Sequence, residues 1–392
     1  MQALTLLALL NTVPYINKVI QSVNYKKQKY ISDNIMKVAL LGLNGDFEKG
    51  TGSGIKNYMY YIYEGLSKSN IKADKIEFKK SRLLQRSPWL NNWLSFGFGT
   101  CAKRFDGYDI VHNPDPGHKI FMRRGKYKLV TTVHDFREFF DPKAKISSKD
   151  DIKQRIFVTL VKKSLLAALK SDYLIVRSTQ TRDEAITLGY DKNKIFVSPS
   201  GLNKEFISKP IQKRKANAPI FRIGYIGGFS YSKNLIFVID AFKQHIKNNN
   251  IRLFIYGKKA LEYENLLKYS AGVKSIKFMG FAPEDKLVSI YDSFDAFVFP
   301  SLYEGLGLPI REAQSRGLPV IIYKYAKIPE EVRKYCFEAE SPEHMAQIIK
   351  ELKENGYNEK QQKKATEYAI SFTWENCTKS TLTAYKKAIT YA

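Results

Sequence analysis

The stretch "FPSLYEGLGLPIREAQSRGLPVI", residues 299–321, carries two glutamates on either side of a turn rich in glycine and proline. Pro300 ends an apolar run typical of a buried strand. Pro309 suits the first turn of a helix, where a missing N–H costs nothing. The pattern predicts a strand, a loop and a helix, with Glu304 in the loop and Glu312 about one turn inside the helix.

The residues between these glutamates suit a ligand that carries both phosphates and hydroxyl groups. Gly305 and Gly307 allow close approach of the backbone, and a helix N-terminus attracts negative charge. An ionised carboxylate only accepts hydrogen bonds, and it can take both hydrogens of a diol. One glutamate could then hold a ribose and the other a sugar. A capped helix with a surface glutamate is the alternative explanation.

Strand and helix patterns alternate through the chain from Met36 onward. Strand patterns occur at 37–43, 72–78, 109–112, 128–133, 173–176, 194–197, 221–228, 252–257, 275–280, 295–300 and 319–323. The main helical patterns fall at 55–67, 151–170, 234–248, 262–269 and 285–293. Short apolar strands that alternate with helices indicate parallel sheets covered on both faces. We therefore predict an α/β fold with two tandem Rossmann-like, doubly wound domains that face a central cleft.

A basic, proline-flanked segment without apolar periodicity, "SKPIQKRKANAP", interrupts this alternation and indicates a linker. The predicted parts are an N-terminal extension (1–35), a first domain (36–208), a linker (209–219), a second domain (220–372) and a C-terminal helix (373–392). The apolar run at 3–10 is too short to span a bilayer and lacks the basic start of a secretory signal. It either lies in a membrane interface as a helix, or is an unstructured extension, or reflects a start site assigned too early.

Three further places resemble ligand contacts at the carboxyl ends of strands. The loop "EKGTGSGIKN" at 48–57 places glycines between the first strand and the first helix, although a plain tight turn fits equally well. Lys233 precedes a helix and suits a diphosphate, or is simply solvated. His134 ends a strand and could bind a substrate hydroxyl or cap the strand. A shared cleft would gather these residues with the two glutamates.

The composition points to an anionic partner. The 392 residues carry a formal net charge of +26, which favours nucleic acid, an acidic membrane leaflet or phosphorylated substrates. Three cysteines lie far apart in the sequence, so neither a metal site nor a disulfide framework is indicated (Cys101, Cys336 and Cys377). No nucleic-acid motif occurs, so a nucleic-acid-binding protein is the weaker alternative.

Three basic segments of the first domain, at 77–105, 119–128 and 152–170, combine lysine or arginine with aromatic or apolar residues. Such segments suit an anionic membrane interface. The alternative is that the aromatic side chains belong to the core and the lysines are solvated.

The segment "EGLGLPIRE" resembles the E-x7-E motif of the retaining glycosyltransferases of family 4, which have the GT-B fold. The resemblance covers nearly the whole chain from Met36. It also rests on "GTGSGIKNY", "TTVHD", "VRSTQTRDEAITLGYDKNKIFVSPSGLNKEF", "IGGFSYSKN" and "SFTWENCTKSTLTAYKKA". It implies a GT-B fold whose first domain binds the acceptor and whose last helix crosses back onto the first domain.

The resemblance implies transfer of a hexose from a UDP- or GDP-sugar with anomeric retention, no metal and no cofactor. Glu304 would hold the donor sugar, Glu312 the ribose, and His134 would contact the donor sugar. The other implied donor contacts are the diphosphate-binding Lys233 and the backbone of Gly52, Ser53, Gly54, Gly227, Gly305, Leu306, Gly307 and Leu308. His134, Glu304 and Lys233 would be the catalytic residues. The acceptor would be a saccharide, lipid-linked at the cytoplasmic face, with the protein peripheral on that membrane.

One position departs from the family pattern. The family usually has Gly-Arg at the start of the diphosphate loop, where this chain has Gly227 and Gly228. Arg222 and Lys258 lie nearby in sequence as substitutes. The departure also supports an alternative function, a catalytically weak GT-B protein that binds sugar nucleotides.

Overall fold

The computed structural model describes residues 35–43, 45–49, 54–79, 103–116, 125–141, 152–211, 219–247, 250–259 and 262–390. These residues form two six-stranded sheets in which every strand pair is parallel. Helices cover the sheets, so the predicted α/β class with two Rossmann-like units is confirmed.

The first sheet has the strand order β2-β1-β3-β4-β5-β6. Its strands are β1 (Lys37–Leu43), β2 (Lys72–Phe78), β3 (Ile110–Asn113), β4 (Lys128–Val133), β5 (Tyr173–Val176) and β6 (Ile195–Val197). The accompanying helices are α1 (Gly54–Ser67), α2 (Arg137–Phe140), α3 (Ile152–Ala168), α4 (Thr179–Thr187) and α5 (Lys204–Ser208). Most residues of β1 and all of β5 are buried, as expected for strands covered on both faces.

The second sheet has the order β12-β11-β10-β7-β8-β9. Its strands are β7 (Phe221–Ile226), β8 (Ile251–Tyr256), β9 (Ile276–Gly280), β10 (Ala296–Phe299), β11 (Val320–Tyr323) and β12 (Phe337–Ala339). Its helices are α6 (Leu235–Asp240), α7 (Tyr263–Tyr269), α8 (Leu287–Asp292), α9 (Leu308–Ser315), α10 (Glu330–Arg333), α11 (Pro342–Asn355) and α12 (Glu359–Ile370). Since β10 pairs with β7, the loops that follow these two strands lie side by side.

Most predicted elements differ from the observed bounds by a few residues, and the strand β12 was not predicted. Two of the differences have a clear structural cause. The strand predicted from Asp109 begins one residue later, because the Asp109 carboxylate accepts the Lys37 N–H at 2.8 Å and so caps the sheet edge. The helix predicted from Asn234 is α-helical only over Leu235–Asp240 and continues as a π-helical turn over Ala241–His245.

The last helix, α13 (Trp374–Thr390), packs on the first unit rather than on the second. Its Tyr385 hydroxyl lies 2.6 Å from Nδ1 of His112 at the centre of the first sheet. Its Cys377 carbonyl accepts the Ser198 hydroxyl at 3.1 Å, just after β6. The chain therefore returns to the first unit after completing the second.

Side chains also join the two units directly. The Glu331 carboxylate of α10 accepts the Thr179 N–H at 2.9 Å, at the start of α4. The Tyr303 hydroxyl donates to Oε2 of Glu184, which is buried in α4, at 2.5 Å. These contacts hold the carboxyl edges of the two sheets against each other.

No helix among the described residues has both the length and the apolar character needed to span a bilayer. The N-terminal extension lies outside the described residues, except for residue 35. So do residues 80–102 and 117–124, which make up most of two of the three basic segments.

Candidate functional site

Lys233 and Glu304 form an ion pair at the carboxyl edge of the second sheet. The lysine Nζ lies 2.6 Å from the glutamate Oε1. The lysine comes from the loop after β7 and the glutamate from the loop after β10, and these strands are neighbours. Both side chains are largely buried, at 22% and 13% exposure, so solvent screens the pair only in part.

Backbone contacts fix the positions of these two loops. Asn234 has a left-handed conformation, with φ of 51°, and its side-chain amide donates to the Pro300 carbonyl at 3.2 Å. The Leu302 N–H donates to the Ser232 carbonyl at 2.8 Å. A left-handed backbone at a residue other than glycine is costly and persists only where its surroundings demand it. Here it turns the chain directly after Lys233.

Gly305 brings this edge into contact with the first sheet. A Cβ atom at Gly305 would lie 2.4 Å from the His134 carbonyl oxygen and 2.7 Å from Asp135 Cβ. The Gln180 side-chain amide donates to the Glu304 carbonyl at 3.2 Å from the same side. Only glycine fits at this position, and the cleft between the units is closed here.

His134 lies at the carboxyl end of β4 with its ring fixed in place. Nε2 donates to the Pro114 carbonyl at 2.9 Å, since a carbonyl can only accept, and the Tyr58 ring packs edge-on with its centroid 5.4 Å away. Burial lowers the pKa of His134 to about 4, and the Arg177 charge adds to the effect. The imidazole is therefore neutral at pH 7, and Nδ1 remains as a hydrogen-bond acceptor.

The turn between the two glutamates has the predicted form. Gly307 precedes α9 with φ of 68°, a conformation that favours glycine, and Pro309 stands in the first turn. Leu308 begins the helix and Leu306 is half-buried in the loop. The amino end of the helix therefore lies four residues after Glu304.

Glu312 lies on α9, with its carboxylate held by the neighbouring helix α8. The Tyr291 hydroxyl donates to its Oε2 at 2.8 Å. Burial raises the pKa of Glu312 to about 7, while the Tyr291 hydrogen bond opposes this and the Glu284 charge adds to it. The carboxylate is therefore poised to change its charge near neutral pH.

The remaining predicted donor contacts were Gly52, Ser53, Gly54 and Gly227, and, among the described residues, none of them is seen to contact the Lys233–Glu304 pair. Gly52 and Ser53 lie outside the described residues, and Gly54 is the exposed first residue of α1 on the other sheet. The Gly227 N–H already donates to the Tyr256 carbonyl at 3.0 Å. A phosphate would therefore have to displace this bond to use it.

Arg222 and Lys258 are the two cations that could replace the arginine missing at Gly228, and Arg222 lies at the opposite edge of the sheet from Gly228. Arg222 is the second residue of β7, at the amino edge of the sheet, where its guanidinium covers the Phe254 ring at 4.1 Å. Lys258 does follow β8 at the carboxyl edge, but its Nζ lies over the Phe281 ring at 4.7 Å. Gly228 itself is exposed, and a Cβ there would meet no atom within 4 Å.

Two protein-family models match this chain. Residues 54–206 match the family described as "Glycosyltransferase Family 4", and residues 207–372 match "Glycosyl transferases group 1". The chain belongs to glycosyltransferase family 4. The predicted membership is confirmed, and the protein is a GT-B glycosyltransferase of glycan biosynthesis.

Two relatives of this glycosyltransferase come from Escherichia coli. "O-antigen chain mannosyltransferase B" is 28% identical over 71% of this chain and 74% of its own. "UDP-Gal:alpha-D-GlcNAc-diphosphoundecaprenol alpha-1,3-galactosyltransferase" is 31% identical over 55% of this chain and 57% of its own. The first is similar over most of both chains, the second over about half of each.

Solved structures share the fold of this glycosyltransferase. Sucrose-phosphate synthase from Thermosynechococcus elongatus superposes with a TM-score of 0.70 at 17% identity, over 91% of this chain and 100% of that one. Anabaena HepE in complex with UDP-glucose superposes with a TM-score of 0.63 at 16% identity, over 89% and 99% of the two chains.

The sequence did not single out several residues that this glycosyltransferase places in or beside the site. Asp135 contacts Gly305, and Arg137 reaches the Ser232 hydroxyl from the other unit. In "VHDFR", Asp135 directly follows His134 and Arg137 lies three residues after it, so their place after a strand was a usable signal. Tyr291 had no such signal, because its contact with Glu312 joins two separate helices.

Proposed function

We propose that the protein is a metal-independent, retaining hexosyltransferase that moves a hexose from a UDP- or GDP-sugar to a saccharide acceptor. The observation that carries the proposal is the Lys233–Glu304 pair, at the point where Gly305 contacts the His134 backbone. A cation beside a carboxylate in a closed cleft suits a donor, because the lysine can bind the diphosphate and the glutamate the sugar hydroxyls. No cofactor is needed for this transfer.

In the proposed reaction the bond between the anomeric carbon and the β-phosphate oxygen breaks, and its electron pair stays on that oxygen. The acceptor oxygen bonds to the anomeric carbon from the same face, and its proton passes to the departing phosphate. Preorganised cations stabilise the charge that develops there. NMR of the product should show the donor's anomeric configuration, whereas an inverted product or a covalent glycosyl adduct on Asp135 would contradict this route.

A screen of donors tests the function itself. UDP-glucose, UDP-galactose, UDP-N-acetylglucosamine, GDP-mannose and GDP-fucose should be compared by thermal shift, because a ligand of the folded state raises the midpoint. We expect one nucleotide class to stabilise the protein and its sugar to be transferred over many turnovers. Absence of any shift would contradict the proposal. Binding without turnover would favour the sugar-nucleotide-binding protein that Gly228 suggests.

The affinity for the donor should depend on pH through Glu312. Only the ionised carboxylate accepts both ribose hydroxyls, and its pKa is raised to about 7. Affinity should therefore rise as pH increases from 6 to 8, approaching about tenfold per unit below the pKa. Calorimetric titration with the nucleotide sugar found in the screen measures this, since its diphosphate diester does not titrate in this range.

Glu312→Gln should flatten the pH profile. Burial also raises the pKa of Glu184 to about 7, so Glu184→Gln is the matched control. That control should leave the contribution of Glu312 in place. A profile that survives Glu312→Gln unchanged would place the ribose elsewhere.

The acceptor proposed here is a lipid-linked saccharide at the cytoplasmic face of an anionic membrane. The galactosyltransferase relative acts, by its name, on a diphosphoundecaprenol-linked sugar. On the basic helix α3, Ile156 and Leu166 are 49% and 45% exposed. Peripheral binding would bury these side chains and pair nearby lysines with lipid phosphates. Sedimentation with anionic vesicles at low salt tests this part, and absence of binding there would contradict it.

A further inference from the structure

Arg137 contacts the loop that carries Lys233, although the two residues belong to different units. It is the first residue of α2, directly after the loop that follows β4. Its Nη1 lies 3.5 Å from the hydroxyl oxygen of Ser232, the residue before Lys233. The guanidinium therefore lies beside the proposed diphosphate site and approaches it from the opposite side of the cleft.

The contacts of Arg137 leave it able to bind a further anion. Its backbone N–H donates to Asp135 Oδ1 at 3.1 Å, and Nη2 lies 3.3 Å from Glu138 Oε1. The side chain is 41% exposed. The Glu138 side chain is more buried, at 12% exposure, but its 3.3 Å contact with Arg137 is longer than the 2.6 Å contact between Lys233 and Glu304. Arg137 is therefore the less tightly paired of the two cations.

Lys233 by itself brings little net positive charge to the site. Its Nζ is paired with Glu304 at 2.6 Å, so their formal charges cancel. The leaving diphosphate gains negative charge as its bond to the sugar breaks, and a second cation would stabilise that charge. Gly228 has no side chain to supply it, Arg222 lies at the far edge of the sheet, and the Lys258 Nζ lies over the Phe281 ring. A planar guanidinium can give a phosphate two parallel hydrogen bonds.

We propose that Arg137 hydrogen-bonds the departing diphosphate from the unit that binds the acceptor. This inference rests on the proposed function and deepens it. Arg137 transfers no proton in the reaction written above, but donates N–H groups to the oxygen that receives the bonding electrons. Because it comes from the opposite unit, its contact forms when the cleft is closed. Departure of the leaving group is thereby coupled to closure.

The test measures the dissociation constants of UDP and GDP by calorimetry. Arg137→Ala should weaken binding of the nucleotide that the unchanged protein binds by about tenfold, the effect of losing a charge-assisted hydrogen bond. Arg182→Ala is the matched control. Arg182 is 42% exposed and paired with the adjacent Asp183, as Arg137 is with Glu138, but it lies on α4 and should leave affinity within twofold.

A second variant separates a lost cation from a disturbed fold. Gly228→Arg, added to Arg137→Ala, places a guanidinium on the same loop as Lys233 and should recover about threefold or more of the lost affinity. A Cβ atom at Gly228 would meet no atom within 4 Å, so a side chain can be attached there. Equal affinity of Arg137→Ala and the unchanged protein would overturn the proposal, as would loss of affinity that Gly228→Arg does not recover. If the unchanged protein binds neither UDP nor GDP, the proposed function itself fails.

Discussion

Glu304→Ala should lower sugar transfer by about 10²- to 10³-fold while the protein stays folded, because the variant removes the proposed electrostatic contact to the reacting sugar. The carboxylate lies 2.6 Å from Lys233 and next to Gly305, where the two sheets meet. Its loss removes the proposed acceptor for the sugar hydroxyls and leaves a largely buried lysine without its partner. The measurement is the steady-state rate of nucleoside diphosphate release with the donor identified by the screen.

Two further variants make the result specific to the pair. Lys233→Ala alone should be as damaging, and the double variant should be little worse than either, because the two side chains act as a unit. Glu367→Ala is the control, since Glu367 lies on α12 with 61% exposure and pairs weakly with Lys363 at 3.9 Å. Transfer that persists in Glu304→Ala with any accepted donor would show that the site is assigned wrongly.

Gly305→Ala should reduce turnover by about 10²-fold through one added methyl group. The new Cβ would lie 2.4 Å from the His134 carbonyl oxygen and 2.7 Å from Asp135 Cβ. Neither atom can rotate away like the end of a flexible side chain, so the two edges must separate. A displacement of about 1 Å is enough to cost this factor, since reacting groups must meet at near-contact distance.

The control for this variant is Gly228→Ala, a glycine at the same edge with open space around it. It should retain turnover within about threefold and the same unfolding temperature, as expected of an exposed substitution. Turnover of Gly305→Ala close to that of the unchanged protein would mean that the closed contact is not needed for reaction.

The local pattern was enough to predict every strand of the two sheets except β12, as well as the strand, loop and helix around the two glutamates. Each strand is a short apolar run bounded by turn residues. Such a run is the pattern expected of a strand that is buried on both faces, so it can be recognised without knowing the neighbouring strands. Boundaries shifted where a side chain capped the edge, as at Asp109. They also shifted where the chain took up a left-handed turn, as at Asn234.

The site could be predicted only in part. The placement of Glu304, Lys233 and His134 at carboxyl ends of strands follows from parallel topology. That His134 would direct Nε2 to the Pro114 carbonyl does not follow, nor that the Gly227 N–H would be taken by Tyr256. These partners are far from each other along the chain, and no periodicity encodes them.

By itself the sequence determined the α/β class, the parallel strands and the edge on which the loops of the proposed site lie, because these depend on local apolar patterns and turn residues. Only the tertiary structure decided that β10 lies beside β7, which brings Lys233 to Glu304. It likewise decided that the two edges close at Gly305 and that Arg137 reaches the opposite loop. The physical reason is that strand order and the packing of the two units depend on burial between segments that are far apart in the sequence. Because many segments share a similar local pattern, that pattern does not specify which of them pack together.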